Sequence, residues 1–158
     1  MGEHSNLGKG LRLLIYLGNI FGNNIKNLVL RSKVHIGHPV IAGVSGLESI
    51  AELKWPELAE SPYVRLPEIA GTFYTGYSSL SELVHGINAV SHGSVSRLGV
   101  YAASAVLSGL LAYTLGSKVM NSYGGITSTP GGAVNDLGEV VTDIGKGIRA
   151  AAERFHKD

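Results

Sequence analysis

The residues of this chain with chemical potential are its histidines, a few carboxylates and two Gly/Ser clusters. Glu82-Leu-Val-His85 is a Glu-x-x-His sequence, which on a helix puts a carboxylate and an imidazole on one face. Carboxylate-bridged di-metal bundles use two such motifs with two further glutamates on facing helices. Here there is one copy, and Glu48 and Glu52 are its helical partners at hand. Glu82 and His85 are therefore expected to hydrogen-bond along their helix. His92 stands two turns beyond His85, where paired imidazoles could ligate haem or relay protons given facing groups. Glu82, His85 and His92 are weak metal candidates; no metal and no cofactor is expected. His35 and His38 flank a glycine in a connector and are expected in solvent.

Gly43-Val-Ser45-Gly46 lacks the residue between serine and second glycine that a nucleophile elbow needs, and no strand precedes it. The loop Gly124–Gly132 has no Lys-Ser/Thr after its glycines, so it is not a phosphate-binding loop. The expectation is a protein that is not an enzyme.

Composition narrows the class further. Charged residues are 16% of 158, against roughly 25% in an average soluble domain, while Gly reaches 22. Small residues stand where Lys and Glu usually solvate a helix, which suits helices packed closely on several sides. Net charge is +1 with scattered cations, so nucleic acid is not an expected partner. The absence of cysteine excludes disulfides, thiolate metal sites and thiol nucleophiles.

Apolar spacing of three and four places helices along almost the whole chain. Leu11, Leu14, Ile15, Phe21, Ile25, Leu28 and Val29 form one face of a first helix over 11–30, opposite Arg12, Asn19, Asn23, Lys26 and Asn27. That pattern fits an interfacial helix or, as the expectation here, an amphipathic helix with its apolar face on a protein core. A second helix starts at Pro39 and stops at Trp55, and three prolines over Pro56–Pro67 predict a turn-rich linker. A third helix runs from Pro67 to a break at His92–Ser96. The last, Ala133–Phe155, is amphipathic, with acids early and bases late.

The strongest physical signal is Leu98–Ser117, twenty residues without a charge between Arg97 and Lys118. At ~1.5 Å per residue that spans ~30 Å, a bilayer's hydrocarbon thickness. A buried central helix of a soluble bundle would show the same run. Ser104, Ser108, Ala112 and Gly116 recur at four-residue steps beside Ala105 and Gly109. They make a small-residue face on which another helix can pack closely. Arg12, Lys26, Trp55, Arg97, Tyr101, Tyr113 and Lys118 are the candidate membrane-interface residues.

The expected class is all-α, with four to five helices, the apolar helix at about 98–117 spanning a membrane and amphipathic helices around it. Residues 1–38 form a basic amphipathic helix and connector, and 39–120 a helical core. A Gly/Ser/Pro loop follows at 121–132, then the amphipathic helix 133–158. In composition alone the chain resembles membrane-associated structural proteins of viruses and phages, which implies a subunit of a membrane complex or virion. The expected partners are copies of itself, other protein subunits and a lipid bilayer. The alternatives are a membrane-perturbing pore-former or lysis protein and a soluble coat or bundle subunit.

Overall fold

The structure, a computed structural model, describes residues 3–30 and 37–155. Five helices follow one another: α1 (Glu3–Leu30), α2 (Gly37–Lys54), α3 (Pro62–Ser91), α4 (Val95–Ser122) and α5 (Thr129–Phe155). A short 3-10 turn, Pro56–Glu60, joins α2 to α3, and no strand occurs among the described residues. The fold is all-α, with α4 as the one helix among them long and apolar enough to cross a membrane. His35 lies outside the described residues, as does the side chain of His38.

Helix ends depart from the sequence expectation where glycine and proline act differently from their usual punctuation. The linker expected over Pro56–Pro67 is shorter, because α3 begins at Pro62 and takes Pro67 inside its second turn. Pro62 follows Ser61, whose carbonyl accepts from both Val64 and Arg65. Pro67 forfeits only the bond to the Tyr63 carbonyl, near a helix start where backbone groups are easily satisfied. The loop expected at 121–132 contracts to 123–128 for a related reason. Gly124 takes φ +80°, and Gly125 N–H donates to the Met120 carbonyl at 2.8 Å, closing a Schellman end. Gly93 ends α3 in the same way, with φ +74° and Ser94 N–H on the Ala89 carbonyl at 2.9 Å. That tight turn folds α4 back along α3 as an antiparallel hairpin. Against it α1 packs on α2 and α4, and α5 crosses the α3 end where α4 finishes.

Packing shows the dominant feature. Among the described residues six apolar side chains are buried, including Tyr16, Ala42, Leu111 and Leu115, against twelve polar or charged ones. Each of the five helices keeps large apolar side chains on the outside. For α1 this reverses the expectation of an apolar face on a protein core: Tyr16, Asn19, Asn23, Lys26 and Asn27 point inward, while Leu14, Phe21, Ile25 and Leu28 are exposed. Periodicity defines a face without saying which side is solvent, and here the polar side found partners inside the bundle. Asn19 Nδ2 donates to the Leu107 carbonyl of α4 and to Ile15 of its own helix, both at 2.9 Å.

Candidate functional site

The inner surface of the bundle is assembled at ion-paired junctions. α3 supplies one partner to each. Its charged residues are Arg65, Glu68 and Glu82, and all three are paired with another helix. They share a face with Gly71, Thr72, Thr75, Ser79 and Gly86, which follow at intervals of three and four. α3 is thus amphipathic in reverse, with charge, hydroxyl and glycine inside.

At the first junction Lys118 of α4 bonds Glu52 of α2 and Glu68 of α3 through one ammonium group. Lys118 is 6% exposed and Glu68 3%, so the group is sequestered from water. An unpaired charge there costs several kcal/mol of desolvation, which makes the pairing a condition of the packing. At the second, Lys26 of α1 pairs with Glu82 of α3, both buried. Fourteen residues separate Glu68 from Glu82 on α3, so the two junctions lie about 21 Å apart along the helix. Between them Thr75 donates to the Gly71 carbonyl at 2.7 Å and Ser79 to the Ala105 carbonyl of α4 at 2.7 Å.

The third junction ties α5 to the bundle. Arg65 Nη2 donates to Asp136 Oδ1 at 3.0 Å, and Nε lies 2.8 Å from Oδ2. Tyr123 donates to the same carboxylate at 2.6 Å, and the Arg65 guanidinium sits 4.5 Å above the Tyr123 ring. Burial, and then the bond to Asp136, push the Tyr123 phenol up to about 12, so it keeps its donor proton. Tyr63 donates to Asp143 at 3.0 Å. That bond, with Lys146 beside it, holds the Asp143 carboxyl below its usual range.

The small-residue face of α4 meets α3 of the same chain. Ala105 and Ser108 are buried, and Ser104, Gly109, Ala112 and Gly116 are partly covered. A Cβ on Gly109 would come within 3.2 Å of Ser79 Oγ, one on Gly116 within 3.1 Å of Thr72 Cγ2, and one on Gly76 within 3.9 Å of Ala112. Gly116 is therefore tightly packed against the Thr72 side chain. Gly116→Leu is expected to cost about 1–3 kcal/mol by overpacking. Gly99→Leu, where a Cβ meets nothing, should lose no stability and gain up to ~0.8 kcal/mol of helix propensity. Unfolding of both variants in detergent micelles, followed by circular dichroism, checks the difference; equal midpoints would refute the tight packing.

The candidate interface residues divide. Lys26 and Lys118, candidates for a membrane interface, are both interior ion-pair partners. Trp55, Arg97 and Tyr113 are exposed, with Lys54 over the Trp55 ring; Arg12 and Tyr101 are partly covered. Glu82 and His85 do not meet as a helix-stabilising pair. Glu82 turns inward to Lys26, while His85 Nδ1 lies 2.7 Å from the Ser81 carbonyl on the outside, as an N–H donor would. His92 Nδ1 likewise lies 2.8 Å from the Asn88 carbonyl. Among the described residues no group of three or more His, Asp or Glu gathers as a metal site.

Sequence reasoning missed Arg65, Glu68 and Asp136 as site residues, and named Glu52 only as a partner for Glu82 and His85. A signal was present for α3, where Arg65 and Glu68 lie on the same face as Gly71, Thr72 and Thr75. No protein-family model, no curated protein and no solved structure matches this chain.

Proposed function

We propose that this chain is a non-enzymatic structural subunit, embedded in a membrane through a helical bundle and built into a larger complex or virion. The observation that carries the reading is the inverted packing, with polar groups paired inside and apolar side chains outside. In water, ionisable residues are seldom buried, and contiguous exposed apolar surface marks an interaction site. In a bilayer the arrangement is the economical one, because the few ionisable groups face the bundle interior and pair there. α4 supports the same reading. Only 28% of its most apolar stretch is buried within the chain, whereas the core helix of a soluble bundle is mostly covered.

The small residues of α4 are filled by α3, so contacts with further subunits fall to the outer faces. Val106, Leu110 and Tyr113 of α4 and Phe73, Tyr77 and Leu80 of α3 are among the exposed residues near the middle of the hairpin.

Alkaline carbonate extraction of membranes from cells expressing the full chain tests the reading. Retention in the pellet until detergent is added is the expected result. Release by carbonate would overturn the embedded bundle and leave a soluble coat or bundle subunit whose apolar exterior is covered by other chains.

A further inference from the structure

We propose that α5 lies along the bilayer surface, its apolar face sunk into the leaflet at the α4 C-terminus and its basic half set against anionic headgroups. The inference rests on the embedded reading above and adds a second, peripheral attachment with a lipid preference.

Geometry supplies the first argument. Val134, Leu137, Val141, Ile144, Ile148 and Phe155 follow at intervals of three, four and seven, so they share one side of α5. All six are more than half exposed. The helix is held from a different side: Asp136 by Arg65 and Tyr123, and Asp143 by Tyr63. These polar contacts turn the apolar stripe away from the bundle, and beyond Asp143 every described side chain is exposed. A stripe of this length needs an apolar covering, and the bundle does not provide it.

Position identifies the covering. α4 has 28 residues, so it is ~42 Å long and its ends reach the headgroup regions of a bilayer it crosses. Only residues 123–128 separate its last residue from the start of α5. Asp136 and Asp143 then fasten α5 to the first turn of α3, at the same end of the hairpin. A helix pinned there with its stripe turned outward meets the interface between headgroups and acyl chains.

Charge fixes the lipid. The acids Asp136, Glu139 and Asp143 all precede Lys146 on α5, Asp136 engaged by Arg65, Asp143 by Tyr63 and in part by the exposed Lys146, and Glu139 exposed. From Lys146 to Phe155 there are three bases, Lys146, Arg149 and Arg154, against one acid, Glu153. All four are exposed, and the bases suit an anionic surface rather than a zwitterionic one.

The chain has no cysteine, so single labels report without background. Full-length protein carrying Leu110→Cys, Ile148→Cys or Glu153→Cys, each spin-labelled, is reconstituted into phosphatidylcholine vesicles with and without phosphatidylglycerol. Collision with oxygen and with a water-soluble nickel complex is then measured. The expected result is that label 110 favours oxygen in both lipids. Label 148 favours oxygen with phosphatidylglycerol and moves toward nickel without it, while label 153 favours nickel throughout. Nickel access at 148 in both lipids, with 110 still in lipid, overturns the proposal and leaves the embedded bundle intact. Equal oxygen access at 148 in both lipids overturns the anionic preference. Spin–spin broadening between 148 labels that survives lipid dilution would mean a second copy covers the stripe, and overturns it too. Nickel access at 110 sinks the embedded reading itself.

Discussion

Lys118→Met destabilises the bundle by about 3–5 kcal/mol, the cost of leaving buried carboxylates without their cation. The substitution nearly preserves side-chain volume, so a cavity is not the cause. Glu68 is 3% exposed and loses the ammonium that Glu52 shares with it. Two helices lose their tie to α4 at once, because one ammonium serves α2 and α3 together. Reversible unfolding in mixed micelles of increasing dodecyl sulfate, followed by circular dichroism, measures the loss. The triple variant Lys118→Met/Glu52→Met/Glu68→Met is expected to recover most of it, since replacing a buried ion triad by apolar residues is often neutral or better, and the neighbouring Glu48, already pushed up to about 7 by burial, can take a proton. A single variant within 1 kcal/mol of the parent would mean that water reaches the junction. A triple variant no better than the single one would mean that packing, not charge, sets the cost.

The second large effect is expected at a residue that touches little. Val106 is 61% exposed, near the middle of α4 and away from the α3 face. In the embedded bundle proposed above, Val106→Arg would put a guanidinium at the depth of the acyl chains, with an insertion cost of about 3 kcal/mol, or roughly a hundredfold in the insertion equilibrium. Because α4 is rich in Gly, Ser and Ala, its insertion is only weakly favourable to begin with, and the penalty shows directly. On a water-exposed surface the same change stays within ~0.5 kcal/mol and improves solubility. The fraction inserted in microsomes, read from engineered glycosylation sites on either side of α4, separates the two. Unchanged insertion of the Val106→Arg chain would refute lipid exposure of that face.

Much of this architecture was legible in the residues. The charge-free run between Arg97 and Lys118 marked α4, the break at His92–Ser96 marked the hairpin turn, and the amphipathic pattern marked α5. Pro67 misled because proline usually opens a helix, whereas here Ser61-Pro62 opens it and Pro67 is absorbed within the second turn. The candidate site was hidden for a more general reason. Binary patterning gives the direction of a hydrophobic face only relative to the chain's own polar face, and the sign depends on the surrounding solvent. Read as a helix in water, α1 buries Leu14 and Phe21; read as a helix in lipid, it buries Asn19 and Lys26. The pairing of Lys26 with Glu82, 56 positions away, has no local signature. Two charges of opposite sign within apolar helices, Lys26 on an asparagine face and Glu82 on a face of Thr75, Ser79 and Gly86, were the available clue.

The shared ammonium of Lys118 also has a consequence for biogenesis. During synthesis from the N-terminus, Glu52 and Glu68 emerge well before residue 118, and Lys26 well before Glu82. Lys26 of α1 and Glu52 of α2 find their interior partners only on later helices, so on the embedded reading each would meet lipid before that partner is made. The α3–α4 hairpin satisfies Glu68 within itself as soon as its two arms close. On that reading the hairpin is the first unit to close, and Glu82 and the second bond of Lys118 then draw α1 and α2 onto it.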